Sequence, residues 1–287
     1  MNIELLVQVG GPALFAGGVA VGVTVAIERW GGVVGGMLGT LPTTIVPFAV
    51  GIHLLAPDLG AFRDALCATP AGMLVNALFL YLWRWVPPRL PAGSLRGRLT
   101  LTLALTGVAW VLGAAALTAG MAGVRRAGWP LLPVAVGLLV GAVLVGGLAC
   151  WRRPPAPRGS RPAGATVLAA RGLLAAGAIA LAVLLARLDV PLLAGMAAVF
   201  PAIYLTTMVS LWLAQGEAVP AGAVGPMMLG SASVSTFALL ATWSVPALGV
   251  AAGCALAWVG AALAVTAPAT WWLRRGEARR AALRASA

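Results

Sequence analysis

One apolar stretch, Gly35-Gly36-Met37-Leu38-Gly39-Thr40-Leu41-Pro42-Thr43-Thr44, carries a proline inside a segment long enough to cross a membrane. Proline removes a backbone donor and its ring clashes with the preceding helical turn, so a helix is expected to break at Pro42. In a bilayer such a break is tolerated only where it is buried in protein or lines a watery cavity. The stretch therefore predicts an interrupted membrane helix that faces the protein interior.

A second stretch repeats this arrangement later in the chain. It reads Ala194-Gly195-Met196-Ala197-Ala198-Val199-Phe200-Pro201-Ala202-Ile203-Tyr204, in which Pro201 follows Pro42 at an offset of 159 positions. The Gly-Met pairs that precede the two prolines keep the same offset, and so do Val86-Pro87 and Val245-Pro246. Two interrupted helices, one in each half of a chain, are typical of a transport site.

The composition identifies a membrane protein. Of the 287 residues, 61% are hydrophobic and only 9% are charged, and the mean hydropathy is +0.99. Apolar runs of ~20 residues, the length of a transmembrane helix, recur along the chain. A membrane β-barrel would instead show short strands of alternating polarity. We therefore expect an all-α polytopic membrane protein.

The apolar segments predict nine transmembrane helices joined by short connectors. Tryptophans near the predicted ends of the spans, among them Trp83, Trp85 and Trp129, fit an aromatic belt at the two membrane interfaces. The predicted spans are residues 11–29, 33–56, 62–86, 99–121, 129–151, 166–187, 190–214, 220–244 and 247–273.

The charged residues predict how the chain is oriented. The net charge of +12 comes from 19 arginines, most of which flank the apolar segments. With nine spans, 15 of the 19 arginines, Arg171 included, fall on one side of the membrane, and that side is cytoplasmic by the positive-inside rule. We expect a bacterial-type inner membrane protein with its N-terminus outside and its C-terminus in the cytoplasm. This placement argues against nucleic-acid binding.

The two halves are predicted to be inverted repeats. Spans 1–4 match spans 6–9, and Ala109-Trp110-Val111 matches Ala257-Trp258-Val259 at an offset of 148. Because matching helices are five spans apart, they cross in opposite directions, an arrangement that supports alternating access. The predicted units are a first repeat (1–128), a connector span with a cytoplasmic loop (129–163) and a second repeat with a basic tail (164–287).

A family resemblance is carried by Ala194-Gly195 to Phe200-Pro201 with the following Val209-Ser210-Leu211-Trp212, and by Gly36 to Leu41-Pro42 in the first half. Each half resembles the GlpM-like small membrane proteins, which are four-span chains with a Gly…Phe-Pro element in an apolar helix. The resemblance implies a fused duplication of a four-span unit, and it implies little about a substrate.

Polar side chains lie at a similar depth in four predicted spans. Pro42 lies about nine residues, or ~14 Å, into span 2, Asn76 is central in span 3, and Ser235 holds the matching position in span 8. We therefore predict a small polar chamber near the midplane that binds a solute. Its predicted substrate-binding residues are Thr40, Pro42, Thr43, Thr44, Asn76, Pro201, Tyr204, Thr207, Ser231 and Ser235.

The same polar residues also allow a structural interpretation. Serine and threonine in membrane helices often bond to their own backbone or join neighbouring helices. Ionisable residues near the span ends are candidates for coupling or gating, and each has a simpler alternative as a solvated, paired or structural group. These candidates are Glu28, His53, Asp58 and Glu217.

Motifs of enzymes and metal sites are absent from the sequence. It contains no HExxH, GxSxG or P-loop motif, and Cys67, Cys150 and Cys254 lie far apart in apolar surroundings, as packing residues do. We therefore expect a protein that is not an enzyme, with no catalytic residues, no metal and no cofactor. Coupling to Na⁺ or H⁺ stays open.

The leading expectation is a secondary transporter or facilitator for a small neutral or anionic solute. It would work by alternating access where spans 2 and 7 break. Its expected partners are membrane lipid and the solute, and a homodimer is compatible with the sequence. One alternative is a lipid or lipid-linked sugar translocase, which would have a lateral opening lined by serine and threonine and basic residues at its cytoplasmic rim, such as Arg84, Arg89, Arg96 and Arg98, near the head groups. The other is a membrane assembly or accessory subunit that transports nothing.

Overall fold

The computed structural model describes residues 3–30, 41–151 and 164–285. In this part of the chain the regular structure is helical and contains no β-strand. A 3₁₀ turn, Pro87–Arg89, follows the third helix, and a π-helical turn, Ala262–Thr266, joins the last two. The helices are α1 (Ile3–Trp30), α2 (Val46–Leu55), α3 (Leu59–Trp85), α4 (Leu95–Arg126), α5 (Leu131–Trp151), α6 (Ala165–Arg187), α7 (Pro191–Ala198), α8 (Ala202–Gln215), α9 (Ala218–Leu248), α10 (Val250–Ala261) and α11 (Ala267–Ala285).

Seven helical segments of the described chain are long and apolar enough to cross a membrane, as expected of a polytopic helical membrane protein. They correspond to predicted spans 3–9, and two of them, Pro191–Leu213 and Val250–Gly276, each combine two helices. Predicted spans 1 and 2 contain shorter apolar helical stretches, Val7–Gly22 and Val46–Leu55. Residues 31–40, which form much of the second predicted span, lie outside the described residues.

Helices α3 and α9 form a central antiparallel pair. Near one end, Arg63 Nε donates to the carbonyl oxygen of Thr242 (3.4 Å), and near the other, Arg84 Nε donates to the carbonyl oxygen of Ala221 (3.3 Å). The two donor residues on α3 are 21 residues apart, and so are the two acceptor residues on α9. The later donor bonds to the earlier acceptor, so the helices are antiparallel. Pro246 explains the first contact, because it has no N–H to give to Thr242 four residues earlier.

Helices α1 and α6 form a second antiparallel pair with very close backbones. A Cβ built on Gly17 would lie 3.4 Å from the Cβ of Ala176, and one built on Gly172 would lie 2.9 Å from a methyl group of Val21. Later residues of α1 therefore lie beside earlier residues of α6, so the two helices are antiparallel. Small residues at such a crossing let two membrane helices approach closely.

The short helix α7 packs tightly against α3. A Cβ on Gly195 would overlap the carbonyl oxygen of Ala65, and a Cβ on Gly72 would overlap the side chain of Val199. These glycines therefore allow α7 to lie directly on α3, and the two contacts show that the helices run in the same direction. The end of α7 is fixed beside the middle of α3 as a result.

The prediction that Trp83 belongs to an aromatic belt is wrong. Trp83 is fully buried and packs edge-to-face against Trp212 of α8, with ring centroids 5.9 Å apart. Both rings belong to a hydrophobic cluster formed by α3, α4, α5, α8 and α9. By contrast, Trp85 and Trp129 are exposed. Proximity to the end of a helix does not reveal which face of that helix a residue occupies.

Candidate functional site

The helix that contains Pro201 is interrupted. Helix α7 ends at Ala198 and α8 begins at Ala202, so Val199, Phe200 and Pro201 form a non-helical link between them. Pro201 occupies the N-cap position of α8 and is buried. The predicted break in span 7 is therefore present, and it leaves backbone carbonyl groups without helical partners.

Asn76 satisfies one of these groups. Its Nδ2 donates to the carbonyl oxygen of Val199 at 2.7 Å, and its Oδ1 accepts a 2.7 Å hydrogen bond from Nε1 of Trp110 on α4. Asn76 is almost completely buried. The amide therefore connects the break to two neighbouring helices, and both ends of its side chain are hydrogen-bonded.

The segment around Pro42 is also non-helical. Residues 41–45 form a turn that precedes α2, in which the backbone N–H of Thr43 donates to the carbonyl oxygen of Leu41 at 2.9 Å. Pro42 is buried, and Thr43 and Thr44 are half-buried. Thr40, another predicted site residue, lies outside the described residues.

Most hydroxyl groups of α9 bond to their own helix. Ser231 donates to the carbonyl oxygen of Met228 (2.6 Å), Ser233 to that of Gly230 (2.8 Å), and Thr236 to that of Ala232 (2.9 Å). Such bonds satisfy a buried hydroxyl without a ligand. The geometry thus supports the structural interpretation for Ser231, and it gives no sign that Ser231 contacts a solute.

Ser235 and Thr69 behave differently. Both side chains are fully buried, and neither hydroxyl has a hydrogen-bond partner among the described residues. The antiparallel register of α3 and α9 places Thr69 opposite Thr236, within one residue of Ser235. A buried polar group without a partner costs about 1–3 kcal/mol. Together with the hydroxyl of Thr118 on α4, which is also buried without a partner in the described chain, these two hydroxyls are therefore candidates for contacts with a bound molecule.

Arg171 is a buried residue that the sequence analysis misplaced. It lies within α6 with 6% of its surface exposed, although its charge suggested a position at the cytoplasmic edge. Its Nε donates to Oγ1 of Thr206 (3.0 Å) and its Nη2 donates to Oγ1 of Thr207 (2.9 Å), both on α8 just after the break. Arg171 is the sixth residue of the predicted apolar span 166–187, and this position inside the span was the sequence signal for its burial. Tyr204, on the same helix as the two threonines, is half-buried against two hydrophobic clusters.

Three coupling or gating candidates make contacts within the protein that fit a structural role. The carboxylate of Asp58 caps α3 by accepting a 2.7 Å hydrogen bond from the backbone N–H of Ala61. The exposed ring of His53 lies edge-on to Phe62, with centroids 5.6 Å apart. Glu217 pairs with Arg98 at 2.9 Å. The fourth candidate, Glu28, belongs to α1, but its side chain is outside the described residues.

Two of the four arginines proposed for a lipid-facing rim are used inside the protein. Arg84 donates to the carbonyl oxygens of Ala149 and Ala221, and Arg98 donates to three carbonyl oxygens of the loop after α3. Arg89 is exposed and stacks on Trp85 at 4.1 Å, and Arg96 is also exposed. A rim of four available cations is therefore not formed.

An apolar cleft of about 520 Å³ opens between α4 and α6. Its floor is α7 with the start of the break, including Met196 and Phe200, and Thr118 is the hydroxyl residue in its lining. The predicted lateral opening lined by serine and threonine is thus not what this cleft provides. Its lining is suited to hydrocarbon.

The described residues contain no group of three histidine, cysteine or acidic side chains that could hold a metal ion. Cys67, Cys150 and Cys254 are buried and are not disulfide-bonded. No protein family, curated protein or solved structure matches the chain. The case for function therefore depends on the geometry of the protein itself.

Proposed function

We propose that this protein is a secondary transporter or facilitator for a small neutral or anionic solute, built from two inverted repeats. The proposal includes nine spans, a bacterial-type inner membrane, an external N-terminus and a cytoplasmic C-terminus. The observation that carries it is the relationship between its two antiparallel helix pairs.

Each antiparallel pair joins helices that match in sequence, and the register of each pair is centred near matching residues. In the first pair a Cβ built on Gly17 would lie 3.0 Å from the carbonyl oxygen of Gly172 and 3.4 Å from the Cβ of Ala176, which are 155 and 159 positions later. In the second, the midpoint between the two arginine contacts lies within one residue of Met73 and Ala232, which are also 159 positions apart. A two-fold axis through both crossings would produce this result, and an axis of this kind relates the inverted repeats of many transporters.

The proposed solute site lies beside the crossing of α3 and α9. It combines the unpartnered hydroxyls of Thr69 and Ser235 with the non-helical segment that contains Pro42, Thr43 and Thr44. Asn76 would stabilise the matching break in the other half instead of binding solute, since its amide is already bonded to Val199 and Trp110. Hydroxyl groups without a nearby carboxylate favour a neutral or weakly anionic solute over a polyvalent cation.

The test is a screen of solute uptake into proteoliposomes, followed by two serine variants. Ser235→Ala should weaken uptake of the transported solute and leave stability unchanged or higher, because it removes a buried hydroxyl that bonds to nothing in the described structure. Ser233→Ala is the matched control, since its hydroxyl bonds to Gly230 on the same helix. Equal uptake by both variants would refute the site, and absence of any protein-dependent flux would refute transport.

A lipid translocase is the second candidate, and the observation that favours it is that the cleft between α4 and α6 can hold acyl chains, although its apolar lining does not supply the polar path that a head group needs. A lipid that crosses the bilayer needs a lateral route for its acyl chains, and a solute carrier does not. A scrambling assay with fluorescent phospholipid in proteoliposomes separates the two. Rapid, protein-dependent loss of leaflet asymmetry without solute uptake would support the translocase.

A further inference from the structure

The cleft between α4 and α6 has the properties of a binding site for a lipid acyl chain. Its walls are mainly aliphatic, with Val111 and Ala114 on α4 and Leu174, Gly177 and Leu181 on α6, and Thr118 on α4 supplies the hydroxyl in the lining. Both walls belong to helices long and apolar enough to span a membrane. In a bilayer, the open side of a cleft between two such helices would face hydrocarbon.

The length of the cleft fits one leaflet. Its lining on α6 extends from Leu173 to Leu185, and the twelve steps between these residues correspond to ~18 Å of helix. One leaflet contributes about half of the ~30 Å hydrocarbon core. The length of the cleft therefore matches that of one acyl chain within its leaflet. A partner helix that spans the membrane would need a groove about twice as long.

The C-terminal ends of α4 and α6 lie on the same side of the protein. Helix α4 is antiparallel to α3, because Arg125 pairs with Asp64 while Trp110 bonds to Asn76. Helix α7 runs parallel to α3. The chain reverses between α6 and α7, because Arg171 near the start of α6 bonds to Thr206 and Thr207 beyond α7, while only residues 188–190 separate the end of α6 from α7. Helices α4 and α6 are therefore parallel, and both end at the same end of the cleft.

Two arginines without acidic partners are present at that end. Arg126 terminates α4 and Arg187 terminates α6, and both are exposed. In the described part of the chain the ion pairs are Arg98–Glu217 and Arg125–Asp64, so neither of these arginines belongs to one. Arginines at a membrane interface attract anionic head groups.

We infer that the cleft binds an acyl chain of an anionic phospholipid, with the head group near Arg126 and Arg187. The chain would pack against Met196 and Phe200, next to the helix break. It would also contact Trp110, whose indole is bonded to Asn76. A bound lipid would therefore stabilise α7, the first half of the interrupted helix. This inference goes beyond the proposed transport and does not depend on it.

Photo-crosslinking in nanodiscs tests the inference. The probe is phosphatidylglycerol with a diazirine on its acyl chain, present as a minor component in phosphatidylcholine, and labelled residues are mapped by mass spectrometry. We expect labelling of residues 110–118 and 173–185 above that of the exposed face of α5 around Gly137. Gly177→Leu should abolish the excess, because a side chain at position 177 enters open space in the cleft. Gly137→Leu, which also meets open space, is the matched control.

A separate variant tests whether the lipid head group lies near Arg187. Arg187→Gln should lower labelling by the phosphatidylglycerol probe about fivefold, the effect of one interfacial arginine, and should leave labelling by the corresponding phosphatidylcholine probe unchanged. Labelling of the cleft no greater than that of α5, or unaffected by Gly177→Leu, would overturn the inference. Cross-linking of the cleft to a second copy of the chain would also overturn it.

Discussion

Asn76 donates a 2.7 Å hydrogen bond to the carbonyl oxygen of Val199, a residue 123 positions away at the break between α7 and α8. The same side chain accepts from the indole of Trp110. Asn76→Ala would leave both partners buried without this bond, and each such group costs about 1–3 kcal/mol, with values at the low end in membranes. We expect a loss of about 1–3 kcal/mol in the free energy of unfolding, measured by titration with SDS in mixed micelles.

Leu78→Ala is the control for this prediction, because Leu78 lies two residues further along α3 on its exposed face. Its effect should be small. If Asn76→Ala cost no more than Leu78→Ala, the hydrogen bonds of Asn76 would not support the break.

Gly195→Ala should disrupt the packing of α7 on α3. The new methyl group would overlap the carbonyl oxygen of Ala65 and approach the Cβ of Ala68 to 2.8 Å, so a helix backbone would have to move. Overpacking of this kind typically costs about 1–3 kcal/mol. Gly177→Ala introduces the same methyl group into open space. Similar melting temperatures for the two variants in detergent would contradict the close approach.

Arg171→Lys should destabilise the protein although it keeps the charge. A lysine cannot reproduce the two bonds that the guanidinium makes to Thr206 and Thr207. Hydrogen bonds to charged groups contribute about 1.5–3 kcal/mol each, and we expect a loss in that range in the unfolding assay. Arg187→Lys, at an exposed position of the same helix, should be nearly neutral. Equal losses of stability in Arg171→Lys and Arg187→Lys would show that Arg171 does not make these two hydrogen bonds.

Arg98→Gln should cost more stability than Glu217→Gln. The two side chains form an ion pair, but Arg98 also donates to the carbonyl oxygens of Pro87, Leu90 and Pro91. A double-mutant cycle should give a coupling energy of about 1 kcal/mol or less, since Glu217 is partly exposed. A larger loss from Glu217→Gln would mean that the ion pair outweighs the loop contacts.

The sequence was sufficient to predict the seven helical segments of membrane length and the break at Pro201. Apolar runs of membrane length and a proline within one of them have direct structural consequences, because the backbone must be satisfied within lipid. The positions of predicted spans 3–9 agree with the structure to within a few residues for the same reason.

The sequence could not predict which polar groups bond to one another. Ser231 and Ser235 are identical residues four positions apart, yet the former bonds to Met228 and the latter is without a partner in the described structure. Arg171 and Trp83 were assigned to membrane edges because their residue types favour those positions, and both are buried. These outcomes depend on the rotation of each helix and on its neighbours, which the hydrophobic pattern of single helices leaves undetermined.

Accessibility of position 235 from the two sides of the membrane tests alternating access most directly. Ser235→Cys would be made in a background in which Cys67, Cys150 and Cys254 are replaced by alanine, with Leu240→Cys, on the exposed face of α9, as the control. The proteins would be treated in sealed vesicles with a membrane-impermeant maleimide on one side at a time. We predict that the Ser235→Cys variant is labelled from either side and that the Leu240→Cys variant is labelled from neither. Labelling of the Ser235→Cys variant from one side alone, or from neither, would contradict alternating access at this site.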